Sequence, residues 1–115
     1  MKMIIGELEI WSKDLGEMPW QEAMDATANL GPGWRLPTIE EFKETLYQNK
    51  EKLHIIDDVN YWSSTELNSD LAWYYYDEEG FADWDTGFKT DICYVRAVRN
   101  YNYCSAAIER LLKDF

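Results

Sequence analysis

The sequence predicts a single α+β domain, and three observations carry that prediction. Residues 20–30 and 39–53 space their apolar side chains with helical period. From Tyr61 onward the chain breaks into short aromatic and β-branched runs, "YWSST", "LAWYYY", "GFADWD" and "ICYVRAVR", parted by Asn, Asp and Gly. The tail "SAAIERLLKDF" then returns to helical spacing. A strand, two helices, a run of strands and a closing helix make an α+β domain. The 115 residues, 46% hydrophobic and 16% aromatic, supply one core and suit one domain over 1–115.

Each element has its own signal. Ile4, Leu8 and Ile10 alternate with period two and predict one short strand. Trp20, Ala23, Met24, Ala28 and Leu30 fall on one side of a helix together with Thr27, and Gly31 is a natural stop. "TIEE" sets the Thr38 hydroxyl three residues before Glu41, which is the capping-box arrangement, so a second helix starts there. Its buried stripe is Ile39, Phe42, Leu46 and Leu53. The closing helix, about 105–114, has Ser105 as its cap and Ile108, Leu111, Leu112 and Phe115 as its apolar side.

Charge narrows the partners. With 11 Lys+Arg against 22 Asp+Glu, the net charge is −11. Nucleic acid and anionic membrane surfaces are repelled at long range. No stretch approaches the roughly 20 apolar residues of a membrane helix. The opening "MKMIIGELEIW" lacks the apolar run of about 7–15 residues of a signal peptide, so a cytoplasmic location is expected. Cys93 and Cys104 match neither a disulfide framework nor a zinc pattern.

Between the two helices stands "GPGWRLPT". Pro32 and Pro37 fix φ, Gly31 and Gly33 permit turns that other residues resist, and Trp34 is large enough to plug a core. Arg35 offers a fork suited to a carboxylate or to loop carbonyls. Anion binding by Arg35 is the functional alternative; a scaffold role is the plainer one. Ser63 and Ser64 invite a nucleophile reading, which needs a base and an orienting third group. The sequence has one histidine, His54, and no G-x-S-x-G elbow. No catalytic residue is therefore assigned. Arg96 and Arg99 most simply pair with carboxylates in so acidic a chain.

Taken together, Trp20 with Ala23, "GWRLPT" at residues 33–38, "YWSST" at residues 61–65, Ala72 with Trp73, Gly80 and "VRAVR" at residues 95–99 resemble the C-terminal domain of the Legionella collagen-like protein, the Lcl domain. The match spans about residues 8–99. The resemblance implies a C-type lectin-like fold, related to formylglycine-generating enzymes and to retroelement variable proteins. It implies helices crossing one side of a small twisted antiparallel sheet, with the extra C-terminal helix outside the match. It also implies structural roles for Trp34, Arg35, Ser63, Ser64, Arg96 and Arg99. Two family cysteines align with Thr27 and Ala97, and their joint loss agrees with a reducing compartment.

The remaining chemistry lies between Tyr74 and Asp91. On a strand, Trp73 and Tyr75 point one way and Tyr74 and Tyr76 the other. Trp73 is the family's buried landmark, which turns Tyr74 and Tyr76 outward. Trp84 lies between Asp83 and Asp85 in the following segment. The expected ligand-binding surface is therefore Tyr74, Tyr76 and Trp84 clustered together, with Asp83 and Asp85 at the rim. A merely solvated face is the plain alternative. No cofactor is expected. Calcium at "DWDTG" is the lesser alternative, since the sequence lacks the remainder of an EF-hand loop and the Glu-Pro-Asn and Trp-Asn-Asp triplets of calcium-dependent lectins.

The sequence thus reads as a non-enzymatic recognition module for a protein or a neutral saccharide. Sulfated polysaccharide, bound by cousins of the collagen-like adhesin, sits poorly with a −11 chain. A phage-tail or secretion-apparatus component, virion-associated or extracellular, is the runner-up, and an enzyme of unknown reaction comes third.

Overall fold

Gly6 and Glu7 split the expected first strand in two. The computed structural model describes residues 2–78 and 81–101, so Gly80 and the expected closing helix lie outside the described residues. Strands β1 (Lys2–Ile5) and β2 (Leu8–Trp11) form a hairpin whose turn holds Gly6 at φ 59°. Ile4 pairs with Glu9, and Ile10 with Met3. Directly opposed residues share a face. Ile4 therefore sits on the side away from Leu8 and Ile10 and is half exposed, which corrects the single-strand pattern. The reversal at Gly6 resets the period. Strand β8 (Val98–Asn100) pairs with β2 and completes a three-stranded sheet, β1-β2-β8.

Helix α1 (Trp20–Ala28) buries Trp20, Ala23 and Thr27. Ala28 is exposed rather than core, because the helix ends at Asn29, before Gly31 takes φ 138°. Thr27 lacks an outside partner, and its hydroxyl bonds back to the Ala23 and Met24 carbonyls, both at 3.0 Å. The second helical segment, residues 39–53, opens as α2 (Ile39–Glu41) under a complete capping box from Thr38 and Glu41. It widens to π geometry over Phe42–Leu46, tightens to a 3₁₀ turn over Tyr47–Asn49 and closes as α3 (Lys50–Leu53). Its expected stripe, Ile39, Phe42, Leu46 and Leu53, is buried throughout.

A five-stranded sheet, β3-β7-β4-β5-β6, comprises β3 (Glu17–Met18), β4 (Tyr61–Glu66), β5 (Leu71–Glu78), β6 (Phe81–Phe88) and β7 (Cys93–Tyr94). The β4–β7 contact is parallel and the other pairings are antiparallel. Tyr61 faces Tyr75 and Trp62 faces Tyr74 across β4–β5. Tyr61 and Tyr75 join Phe42, Leu46 and Leu53 in one core cluster; Trp62 and Ala72 join Trp20, Ala23, Leu36 and Val95 in another. The helices thus contribute to opposite faces of β4 and β5, not to one side as the resemblance implied. The sheet is sandwiched. Ala97, the other position aligned with a family cysteine, is fully buried like Thr27.

Candidate functional site

The β5–β6 hairpin pairs residue for residue from Leu71↔Phe88 to Glu78↔Phe81. That register decides which side chains share a face. Tyr74 opposes Asp85 and Tyr76 opposes Asp83, so these four residues stand together. Trp84 opposes Tyr75 and belongs to the other face. The expected three-ring cluster is therefore corrected. The two strands run out of phase by one residue between aromatic positions, and a period-two rule applied to one strand cannot see this. Trp84 is 37% exposed, with the Lys43 ammonium 4.2 Å from its ring centre.

On the face with Tyr74, α1 covers only part of the sheet. Trp62 and Ala72 are buried beneath Trp20, and Tyr74 is half-buried at the margin of that cluster. Tyr74 meets Trp62 edge-on at 6.3 Å and Tyr76 at 5.8 Å. Gly87 makes room for the Tyr74 ring, since a Cβ there would lie 3.1 Å from Tyr74 Cε1. The Tyr76 hydroxyl donates to Asp83 Oδ2 at 3.0 Å, while Asp83 and Asp85 are exposed. Burial, followed by Asp85, Cys93 and Asp91, raises the Tyr74 phenol above its ordinary value, so it remains a hydrogen-bond donor at neutral pH.

Two clefts flank these rings. One, about 310 Å³, is lined by Asp58, Asn60, Tyr74, Tyr76 and Asp77. The other, about 540 Å³, includes Asn60, Tyr74, Gly87, Asp91, Ile92 and Cys93 in its lining. Asn60 and Tyr74 belong to both. Strand β7 brings the second cleft's wall beside β4, where Tyr94 N–H donates to the Asn60 carbonyl at 2.8 Å. Sequence reasoning missed Asp58 and Asn60 because the β4–β5 register sets their position, and Cys93 because a non-sequential strand order does. The "DDVN" turn before β4 was the available signal. Burial, then Asp91 and Glu17, pushes the Cys93 thiol up to about 12, which leaves it unreactive.

Asp77 faces the opposite way and is buried against the second helical segment. Its Oδ2 accepts from Lys50 Nζ at 3.0 Å, and its Oδ1 has no partner among the described residues. The Tyr75 hydroxyl is likewise buried and unpartnered. Phe42 stacks on the Tyr75 ring at 4.4 Å.

The loop and arginine residues are saturated by the protein itself. Trp34 is 5% exposed, edge-on to Trp11 at 5.1 Å, with the Arg99 guanidinium 4.8 Å from its ring centre. Arg35 grips Glu41 with both terminal nitrogens, at 2.7 and 2.8 Å, and also donates to the Leu36 carbonyl and to Asn100. Arg96 is buried and donates to Asp14 at 2.9 Å, and Arg99 is paired with Glu9. Asp14 also accepts from the Tyr61 hydroxyl at 2.8 Å. At Ser63 the β4–β5 ladder is irregular, and the Ser63 hydroxyl donates to the Trp73 carbonyl at 2.6 Å and accepts from Thr65 N–H. The Ser64 N–H donates to the Pro37 carbonyl at 2.8 Å, which ties this irregularity to the loop. His54 is exposed, in a left-handed conformation that ends the second helical segment.

Residues 8–99 match the Lcl C-terminal domain. The chain belongs to the Lcl C-terminal domain family. Its fold is C-type lectin-like, and among solved structures it is similar to EMS16, described as an antagonist of the collagen receptor integrin α2β1, and to botrocetin. EMS16 is 11% identical with a TM-score of 0.67, covering 86% of this chain and 96% of EMS16. Botrocetin is 12% identical with a TM-score of 0.69, covering 88% and 96%. No curated protein sequence matches the chain. Among the described residues of this Lcl domain, no helix is long and apolar enough to cross a membrane, and no group of three or more His, Cys, Asp or Glu could hold a metal ion.

Proposed function

We propose that this Lcl domain is a recognition module that binds another protein through the β5–β6 face carrying Tyr74, Tyr76, Asp83 and Asp85. One observation carries the reading. Two tyrosines stand half-buried beside two clefts on a sheet face that α1 leaves partly uncovered, while the polar groups of the 31–38 loop are bonded internally. Rigid aromatic side chains with a polar tip, set among acceptors, are the usual anchors of protein interfaces. EMS16, whose fold this chain shares, is an integrin antagonist, and that supports protein recognition as a use of this architecture.

The experiment is a peptide-display selection on the intact protein, run beside a glycan array. The control is Tyr74→Ser/Tyr76→Ser, checked by thermal melting to be folded. Selected peptides that lose at least about 30-fold in affinity on the double variant support the reading, the size expected of a hot-spot pair. Peptides indifferent to the variant, or array binding to a glycan that the variant abolishes, overturn it.

A further inference from the structure

Resting on that reading, we infer that the partner segment presents a lysine or arginine, and that its cation enters the cleft formed by Asp58, Asn60, Tyr74, Tyr76 and Asp77. Charge complementarity is the reason. The cleft is lined by the Asp58 carboxylate, one amide, two phenol rings and Asp77, whose carboxylate turns to the covered face, and among the described residues neither flanking cleft has a lysine or arginine in its lining. Lys50, the cation that pairs with Asp77 at 3.0 Å, is shared with Asp57 at 3.4 Å. Counting Asp57, Asp58 and Asp77 against Lys50, three negatives and one positive leave this corner at −2. Asp83 and Asp85 extend the negative field along the same face, and Asp91 borders the second cleft.

The geometry suits a cation with an alkyl stem. A guanidinium or ammonium beside Tyr74 and Tyr76 gains from the ring faces, and Asp58 and Asn60 at the mouth offer acceptors. The stem would run along the tyrosine rings. The Asp77 carboxylate, buried on the covered face and held by Lys50, does not touch the ligand and adds only to the negative field. An anionic or purely apolar partner would meet these carboxylates unpaired, and that excludes it more strongly than any attraction favours it. The overall charge of −11 steers a basic segment toward the molecule from a distance, with an attraction that weakens as salt rises.

The test uses peptides selected as above on the intact protein. In each, the lysine or arginine is replaced in turn by norleucine or citrulline, which keep the stem and remove the charge. On the protein side the variant is Asp58→Asn. Asp58 has φ 61°, a conformation that Asn tolerates at least as well, so the fold should be kept. Asp70→Asn, exposed and absent from the lining of both clefts, is the charge-matched control. One cationic residue whose neutralisation costs at least tenfold in affinity is expected. The same peptide should lose at least fivefold on Asp58→Asn and be unchanged on Asp70→Asn, and added salt should weaken it further. Peptides that need Tyr74 and Tyr76 but no cation, or that ignore Asp58→Asn, overturn the inference and leave the binding face standing. Peptides that ignore Tyr74 and Tyr76, or failure to select any peptide, count against both.

Discussion

The 31–38 loop and the β5–β6 hairpin are both rich in aromatic and charged residues, yet they have resolved their chemistry in opposite ways. In the loop each charge has a partner from the protein: Arg35 holds Glu41, Arg99 holds Glu9, and Trp34 is closed between Trp11 and the Arg99 guanidinium. In the hairpin, Tyr74 and Tyr76 are half-buried, Asp83 and Asp85 are exposed, and Asp58, Asn60 and Asp91 offer acceptors in the flanking clefts. A closed set of pairs stabilises a fold and has little left to offer a ligand. In the hairpin Tyr76 bonds Asp83, and Asp83 and Asp85 accept from the N–H of the next residue, but these bonds face solvent and cost less to exchange for others. Composition alone does not distinguish them; the burial of their pairs does.

The largest effect tests the closed region. Trp34→Ala removes a buried aromatic from a rigid loop and should cost about 3–5 kcal/mol, read as a lowered thermal midpoint. An unchanged midpoint would show that the loop is not the scaffold its pairings imply.

Acid should loosen the same region next. Burial alone would raise the Glu41 pKa, but the Arg35 fork and the Thr38 N–H outweigh it and hold Glu41 below its ordinary value. A depressed carboxylate stabilises the fold above its unfolded pKa, and that contribution is lost as pH falls through the folded one. Stability should therefore decline as pH drops below roughly 4–5, the ordinary glutamate range. Glu41→Gln should flatten that part of the pH profile and cost about 1 kcal/mol at pH 7, the size of a partly exposed charge-assisted pair. A profile identical in the variant would remove Glu41 from the account.

Much of this was legible beforehand, for physical reasons. Helix positions followed from local signals: the Thr38–Glu41 box and the stripe of Ile39, Phe42 and Leu46 act within a turn or two of chain. Alternation on β5 was legible too, since period two belongs to a single strand. What was not legible depends on pairing between distant segments. Trp84 changed faces because the β5–β6 register sets Trp84 opposite Tyr75. Asp58 and Asn60 joined the site because the β4–β5 pairing sets the turn before β4 beside Tyr74 and Tyr76, and Cys93 joined it because β7 lies beside β4 although 26 residues (67–92) part Glu66 from Cys93 in sequence. Ile4 left the core because a turn at Gly6 reset the alternation.

The covered face of β5 offers a prediction of opposite sign. The Tyr75 hydroxyl is buried without a partner among the described residues, and such a group costs stability rather than adding it. Tyr75→Phe keeps the ring stacked on Phe42 and removes the orphaned oxygen. It should stabilise the protein by up to about 1 kcal/mol in chemical denaturation. A loss of that size would mean that the hydroxyl has a bonded partner, such as an ordered water.

The smallest effect is the sharpest test of the two faces. Trp84→Ala removes a partly exposed ring and its contact with Lys43, so it should cost under about 1 kcal/mol, the scale of an exposed cation–π pair. Trp84 is adjacent in sequence to both Asp83 and Asp85, and a site defined by sequence proximity would include it. The register excludes it, because its pairing with Tyr75 directs it to the face that the second helical segment covers. Peptides that require Tyr74 and Tyr76 should therefore bind Trp84→Ala with affinity unchanged within about twofold, less than the ~0.5 kcal/mol expected of a remote surface change. A tenfold loss on Trp84→Ala would place that ring beside the two tyrosines, and would require a hairpin register shifted by one residue from the one seen here.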